Sequence, residues 1–353
     1  MDRLKLLTLL ICLEITCLAG SRNHIIKVKA GDAKSLLECI AEANRRNVNI
    51  TSERLYVLIP DGVYDLGETT LTAIEGHNVS LIGESMEGTV IVNAPKVENE
   101  GIGKTATLLN RGLNTYVQDL TLKNALDYYH SGAAGRAVCW QDKGNRTVFK
   151  RVRMLSYQDT YYSHSEECQH YFEDCEIHGT VDFLCGAGDV YFNRCLIVTE
   201  KRDPEGKGKD VIVAPRTSTT RWGYVFDHCT IRSDSSKFHL ARGWHTLPRC
   251  TWLYTCIDDP EKVAKGRFDP YSIRSVDCFF YEYQTMDKEG NIISPQSNVV
   301  TYIKDDVQHS LEAVMTAEDA KRFTLKNIFP DWKPEKVSRR LQKEALKLKR
   351  AYL

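Results

Sequence analysis

Two aspartates, Asp159 in YQDTYY and Asp182 in GTVDFLCG, stand 23 residues apart in stretches otherwise rich in aromatic and β-branched residues. A carboxylate held ionised is a nucleophile, and a carboxyl held protonated is a general acid. A protein that keeps one of each at a single point can run acyl transfer or glycoside hydrolysis. Carboxyls about 5 Å apart also suit a retaining glycosidase, so the pair alone leaves the reaction open. The flanking Tyr157, Tyr161, Tyr162 and Phe183 are expected to wall such a site. The competing reading is two solvated turn aspartates that face apart, and the fold decides between them.

A repeated pattern supplies that fold. Segments starting at Tyr116 (YVQDLTL), Val148 (VFKRVRM), Tyr171 (YFEDCEI), Tyr191 (YFNRCLI), Val225 (VFDHCTI) and Trp252 (WLYTCID) share two apolar residues, two mostly polar ones and then apolar alternation. Their intervals are 32, 23, 20, 34 and 27 residues. Short strands recurring at such spacing, without amphipathic helices between them, indicate an all-β solenoid, a right-handed parallel β-helix. A β-sandwich would want two-residue hairpin turns at closer spacing, and few are present. If Phe149 and Phe172 are equivalent in successive coils, Asp159 and Asp182 each follow ten residues later and are in register. Coils stack about 4.8 Å apart, so the two carboxyls are neighbours and one has its pKa raised. A chain that needed only to fold would avoid such a pair.

The ends of a solenoid need covers. AKSLLECIAEANRRN places Leu36, Leu37, Ile40, Ala41 and Ala43 at helical spacing and is expected to cover the first coil. From about residue 307 the pattern turns helical and charged, and PEKVSRRLQKEALKLKRAYL is expected to pack along the solenoid as an amphipathic helix. The first twenty residues have Arg3 and Lys5 ahead of an apolar run ending in small residues, which resembles a cleaved secretory signal. The expected organisation is a signal at 1–20, a catalytic β-helix at 21–306 and a helical segment at 307–353. The product is expected to be secreted or periplasmic.

With 353 residues, 42% hydrophobic content and a formal net charge of zero, the chain can bury a full core and lacks the basic excess of a nucleic-acid binder. No stretch beyond the signal approaches the ~20 apolar residues of a membrane span. Ten of the twelve cysteines lie beyond the signal. Cys175, Cys195 and Cys229 occur in FEDCEI, FNRCLI and FDHCTI, which reads as one repeated interior position holding stacked free thiols rather than disulfides.

YQDTYY, GTVDFLCG and LARGWHT, in this order, resemble the QDT, GTVDF and LGRPW motifs of the pectin methylesterase family, also called carbohydrate esterase family 8. The similarity runs from about Ile26 through IPDGVY and GRAVCW to TAEDAKRFTLKNIF. The family fold is a right-handed parallel β-helix, in agreement with the repeat. The resemblance implies that Asp182 is the nucleophile toward a galacturonate methyl ester in methylated homogalacturonan. It implies further that Asp159 is the acid and then the base, that Gln158 donates to the oxyanion, and that Arg242 orients the nucleophile. Trp244 matches the tryptophan beside the sugar subsite, and Phe183, Tyr161 and Arg136 are added as expected substrate contacts. No cofactor or metal is implied, and a monomer is expected.

Departures matter here. Arg136 in RAVCW stands where the family has glutamine, Ala241 and Gly243 replace the glycine and proline of LGRPW, and Cys185 replaces a phenylalanine. Arg136 is an oxyanion donor, a partner for a neighbouring free galacturonate carboxylate, or a solvated loop residue. The alternative to an esterase is a catalytically silent polygalacturonate-binding protein, which need not keep Asp159, Asp182, Gln158 and Arg242 together. His164, Cys168 and His170 in HSEECQH are metal-ligand types, but no fourth ligand has suitable spacing. The chain lacks the aspartate run of a calcium-dependent pectate lyase. Asn49-Ile50-Thr51, Asn78-Val79-Ser80 and Asn145-Arg146-Thr147 fit glycosylation triplets.

Overall fold

The computed structural model describes residues 24–131, 135–205, 208–218, 221–245 and 247–353. The segment expected to be a signal lies outside them, and so nothing structural bears on it.

Parallel strands stack coil upon coil into a right-handed β-helix. Among the described residues they form a 16-stranded and an eight-stranded sheet. One sheet runs from Leu55–Ile59 through Tyr116–Asn124, Thr147–Leu155, Gln169–Glu173, Asp189–Asn193 and Tyr224–Asp227 to Phe279–Tyr283. The other includes Trp140–Asp142, Tyr161–Ser163, Val181–Gly186, Lys209–Pro215 and Lys237–Arg242. Alternation within each strand sends one row of side chains inward, and parallel register turns that row into a ladder. Phe149, Phe172, Phe192, Phe226 and Trp252 stack with centroid separations of 4.3, 4.6, 4.5 and 3.8 Å. Each is fully buried, and truncating one to alanine costs about 3–5 kcal/mol.

The repeat is in the expected register for five copies: Val148 pairs with Tyr116 and Tyr171, Tyr171 with Tyr191, and Tyr191 with Val225. The sixth is shifted by one. Val225 pairs with Thr251 and Phe226 with Trp252, so the sixth copy begins at Thr251. The misleading signal was Cys256, which mimics the repeated thiol but pairs with Thr230. Cys175, Cys195 and Cys229 do form an interior ladder of buried free thiols. Burial pushes the Cys175 and Cys195 thiols well above their ordinary range.

A second ladder lies at a bend in the first sheet. Asp119, Arg151, Asp174 and Arg194 occupy equivalent positions and all take left-handed backbone angles, φ 54°, 49°, 53° and 54°. One left-handed residue per coil bends the chain without a longer loop. The charges alternate along the stack. Arg151 forks onto Asp119 at 2.6 and 3.0 Å, and Arg194 Nε donates to Asp174 at 3.0 Å. Burial opposes ionisation of Asp119 and Asp174. Arg151 and Lys349 outweigh it for the first and Lys150 and Arg194 for the second, so both carboxyls are held below the usual range.

Helix Ala33–Arg46 covers the first coil, started by Asp32, whose side chain accepts from Ser35 N at 2.9 Å. It buries Leu36, Ile40 and Ala43; Ala41, expected inward, is exposed because Cys39 and Ser35 complete the inner stripe instead. At the other end, helicity begins later than residue 307. Val299–Lys304 and Val307–Glu312 form an antiparallel hairpin, and helices follow only from Ala317. The terminal helix Pro334–Tyr352 packs on the outer row of the first sheet, where Leu341 and Ala345 meet a cluster that includes Tyr116, Val148, Tyr171 and Tyr191. Lys349 reaches Asp119 of the charged ladder, and Ser338 Oγ donates to Glu173 at 2.5 Å. The basic tail is therefore tied to the solenoid.

Candidate active site

Phe149 pairs with Phe172, and Tyr161 with Leu184, so the 23-residue offset persists across the coil and Asp159 and Asp182 are in register. Both have left-handed angles, φ 60° and 52°. They are 4% and 6% exposed, so neither is a solvated turn residue. The backbone locks the two turns together: Asp159 N donates to Val181 O at 3.2 Å and Thr180 N to Tyr157 O at 2.9 Å.

Their surroundings differ. Arg242, at the end of strand Lys237–Arg242, holds both oxygens of Asp182: Nε lies 2.7 Å from Oδ1, and Nη2 engages Oδ2. This fork fits a carboxylate. Arg242 Nη1 also donates to Gly243 O at 2.8 Å, and Tyr271 lies under the guanidinium at 5.4 Å. Gly243 explains one departure from LGRPW, since a Cβ there would stand 2.8 Å from Ile273 N. The close approach that glycine permits brings the Tyr271 loop to Arg242.

Asp159 has no such fork. Its neighbours are Cys185 Sγ at 3.9 Å from Oδ1 and Arg136 Nε at 4.0 Å from Oδ2. Burial first, and then the charge of Asp182, push its carboxyl well above the usual range, with Arg136 and Arg242 pulling the other way. The sites thus set one paired carboxylate beside one carboxyl that favours its proton.

Asp159, Asp182, Gln158, Arg242, Trp244 and Arg136 line one groove of about 580 Å³, within the range of a ligand site. Trp244 is half-buried at its edge with Arg216 over its ring at 5.6 Å, so it is not a core tryptophan. The Arg136 backbone forms an isolated parallel bridge with Gln158, and its partly exposed guanidinium is held by Glu100 rather than left free in solvent.

Two expected contacts belong elsewhere. Phe183 and Tyr161 are fully buried in the interior cluster, and the Tyr161 hydroxyl engages His170 Nδ1. The left-handed residues at 159 and 182 break the strand alternation, so the aromatic residues that follow turn into the core. Tyr157 stacks on Tyr128 at 4.6 Å beside a separate cavity. Of HSEECQH, Cys168 and His170 are interior and His164 is exposed, and no group able to hold a metal ion occurs among the described residues. Asn78 Nδ2 is committed to Ile50 O and Ser52 O, both at 2.9 Å, so that triplet serves a turn.

The sequence reading missed the groove's far wall, Glu100–Lys104. Gly101 and Gly103 marked that segment as a loop, but nothing in the sequence marked where it lands. Glu100 is the notable member: it chelates Arg136, accepting from Nη1 at 2.8 Å and from the backbone N at 3.1 Å.

Comparison with known proteins gives one consistent result. The pectinesterase family model matches residues 26–330. "Probable pectinesterase 49" of Arabidopsis thaliana is 28% identical over 246 residues, 69% of this chain and 64% of that one. The chain thus spans less than two thirds of that relative's length. Among solved structures, pectin methylesterase PemA from Erwinia chrysanthemi superposes with a TM-score of 0.66 at 23% identity, covering 88% of this chain and 98% of that one. A pectin methylesterase in complex with a hexasaccharide gives 0.64 at 24%, covering 84% and 93%. These structures share the β-helical fold.

Proposed function

Since the chain belongs to the pectinesterase family, we propose that it hydrolyses galacturonate methyl esters of homogalacturonan to methanol and pectate through an aspartyl acyl-enzyme. The observation that carries this reading is the in-register pair: Asp182 gripped by Arg242, and Asp159 buried beside it without a fork.

The Asp182 carboxylate attacks the ester carbonyl carbon, and the carbonyl oxygen takes the negative charge. Gln158 donates to that oxygen from the adjacent turn, a role worth about 3 kcal/mol in comparable sites. As the tetrahedral intermediate collapses, the carbonyl–methoxy bond breaks and Asp159 gives its proton to the departing oxygen, releasing methanol. The product is a mixed anhydride between Asp182 and the galacturonate. Asp159, now a carboxylate, takes a proton from water, whose oxygen attacks the anhydride. Free galacturonate leaves and both aspartates regain their starting states. Trp244 offers an apolar face to a sugar ring at the groove edge. No step calls on a cofactor.

Export to where pectin occurs, in the secreted or periplasmic space, fits the apolar leader and a role in pectin degradation or cell-wall modification. Action as a monomer is part of the same reading. The deciding experiment measures methanol and acid release from highly methylated homogalacturonan, acetylated xylan and unmethylated polygalacturonate. Methanol from the first alone supports the proposal; acetate from xylan, or no methanol at all, contradicts it.

A further inference from the structure

The groove holds a third carboxylate for which the two-aspartate chemistry has no use. Glu100 is 22% exposed at the side chain, ends the short turn Val97–Asn99, and faces Arg136 across the groove. Its two oxygens are both spent on that one residue, Oε1 on the guanidinium and Oε2 on the backbone N–H. The same loop holds Arg136 a third time, through Thr105 Oγ1, which donates to Arg136 O at 2.8 Å. Backbone and side chain of Arg136 are therefore fixed together, with Nε left toward Asp159 at 4.0 Å.

An arginine at this place poses a problem that a glutamine does not. Its guanidinium can donate to a developing oxyanion, but a bare cation beside Asp159 favours the carboxylate over the acid that must protonate the leaving methoxide. A salt-bridged guanidinium keeps its remaining N–H donors and loses most of its field. We propose that Glu100 is the positioning residue that makes Arg136 compatible with the site, locking its fork against the groove wall and cancelling its charge beside Asp159. This rests on the esterase reading for its catalytic meaning, whereas the charge balance itself is a property of the folded chain.

The groups facing Asp159 are Asp182, Arg136, Arg242, Glu100, Cys185 and Tyr162. Of these, Glu100 raises the tendency of Asp159 to hold its proton and Arg136 lowers it, so the signs of single and double substitutions differ. Glu100→Gln leaves Arg136 uncompensated. The alkaline limb of kcat/KM, where Asp159 loses its proton, is expected to move down by about one pH unit. Arg136→Gln leaves Glu100 uncompensated and moves the limb up. The double variant, which restores a neutral donor and a neutral wall, returns the limb to the wild-type position. A role confined to holding the loop would lower kcat/KM at every pH, leave the limb in place and gain nothing from the second substitution; that result overturns the proposal.

A measurement without substrate separates this from the reaction itself. In the full chain, the Asp159 carboxyl followed by carbon NMR should titrate at lower pH in Glu100→Gln and recover in the double variant. An unmoved midpoint overturns the role of Glu100. Failure of the wild-type protein to release methanol strikes the esterase reading instead, and the titration still decides the charge balance.

Discussion

Two stacks of charged residues in this solenoid obey opposite rules. Asp119, Arg151, Asp174 and Arg194 alternate in sign along equivalent left-handed positions, and each carboxylate meets a guanidinium. Asp159 and Asp182 also occupy equivalent left-handed positions, yet they have the same sign. Register in a parallel β-helix places equivalent residues within one strand spacing whether or not their charges suit each other. The alternating ladder is what stability alone selects. The like-charged pair is unfavourable, relieved on one side by Arg242 and on the other by a proton, and its persistence marks a place where chemistry rather than folding set the residue types.

The largest effect expected from this contrast is on turnover. Asp182→Asn removes the proposed nucleophile and should lower methanol release by about a thousandfold or more, measured as kcat on methylated homogalacturonan. Near-normal activity would dissolve the distinction between the stacks. Next in size, Arg151→Asp would turn the alternating ladder into three like charges, because Asp119 and Asp174 flank it. A loss of about 3 kcal/mol in denaturant unfolding is expected, with the groove intact.

The reverse is predicted for Asp159→Asn. The Asp159 carboxyl is raised in the fold, so its contribution to stability is full below the unfolded value of about 4 and is lost as pH rises through the folded value. The amide carries no such loss. Melting curves should coincide near pH 3 and separate with rising pH, the variant being the more stable at neutral pH. Asp119 and Asp174 run the other way: their depressed carboxyls stabilise above the unfolded value and cease to do so as pH falls through the folded one. Acid unfolding should therefore begin in the ladder. The smallest change is expected at the ladder's outer end, where Arg194 is half exposed, and Arg194→Gln should cost less than about 1 kcal/mol.

Much of this was legible in the sequence because register is written in repeats. Phe149 and Phe172 fixed the coil offset, and from it the adjacency of Asp159 and Asp182 followed by counting. The thiol ladder was legible for the same reason. Where a residue imitated the repeat, counting failed, as with Cys256 and the displaced sixth copy. Phe183 and Tyr161 were misplaced because strand alternation cannot be carried through a left-handed residue, and the aspartates of QDTYY and VDFL, a type that tolerates that conformation, signal one only weakly. Glu100 was invisible for a different reason: it reaches Arg136, 36 positions further along the chain, from a loop outside any repeat.

The most direct test of the central claim is to ask which aspartate carries the acyl group. The wild-type protein, quenched in hydroxylamine during turnover of methylated homogalacturonan and then digested, should bear the hydroxamate tag on Asp182 and on no other carboxylate. A tag on Asp159 would reverse the two roles; because hydroxylamine also attacks the galacturonyl side of the anhydride, a tag on no carboxylate together with no enzyme-dependent galacturonate hydroxamate, with methanol still released, would contradict the acyl-enzyme altogether.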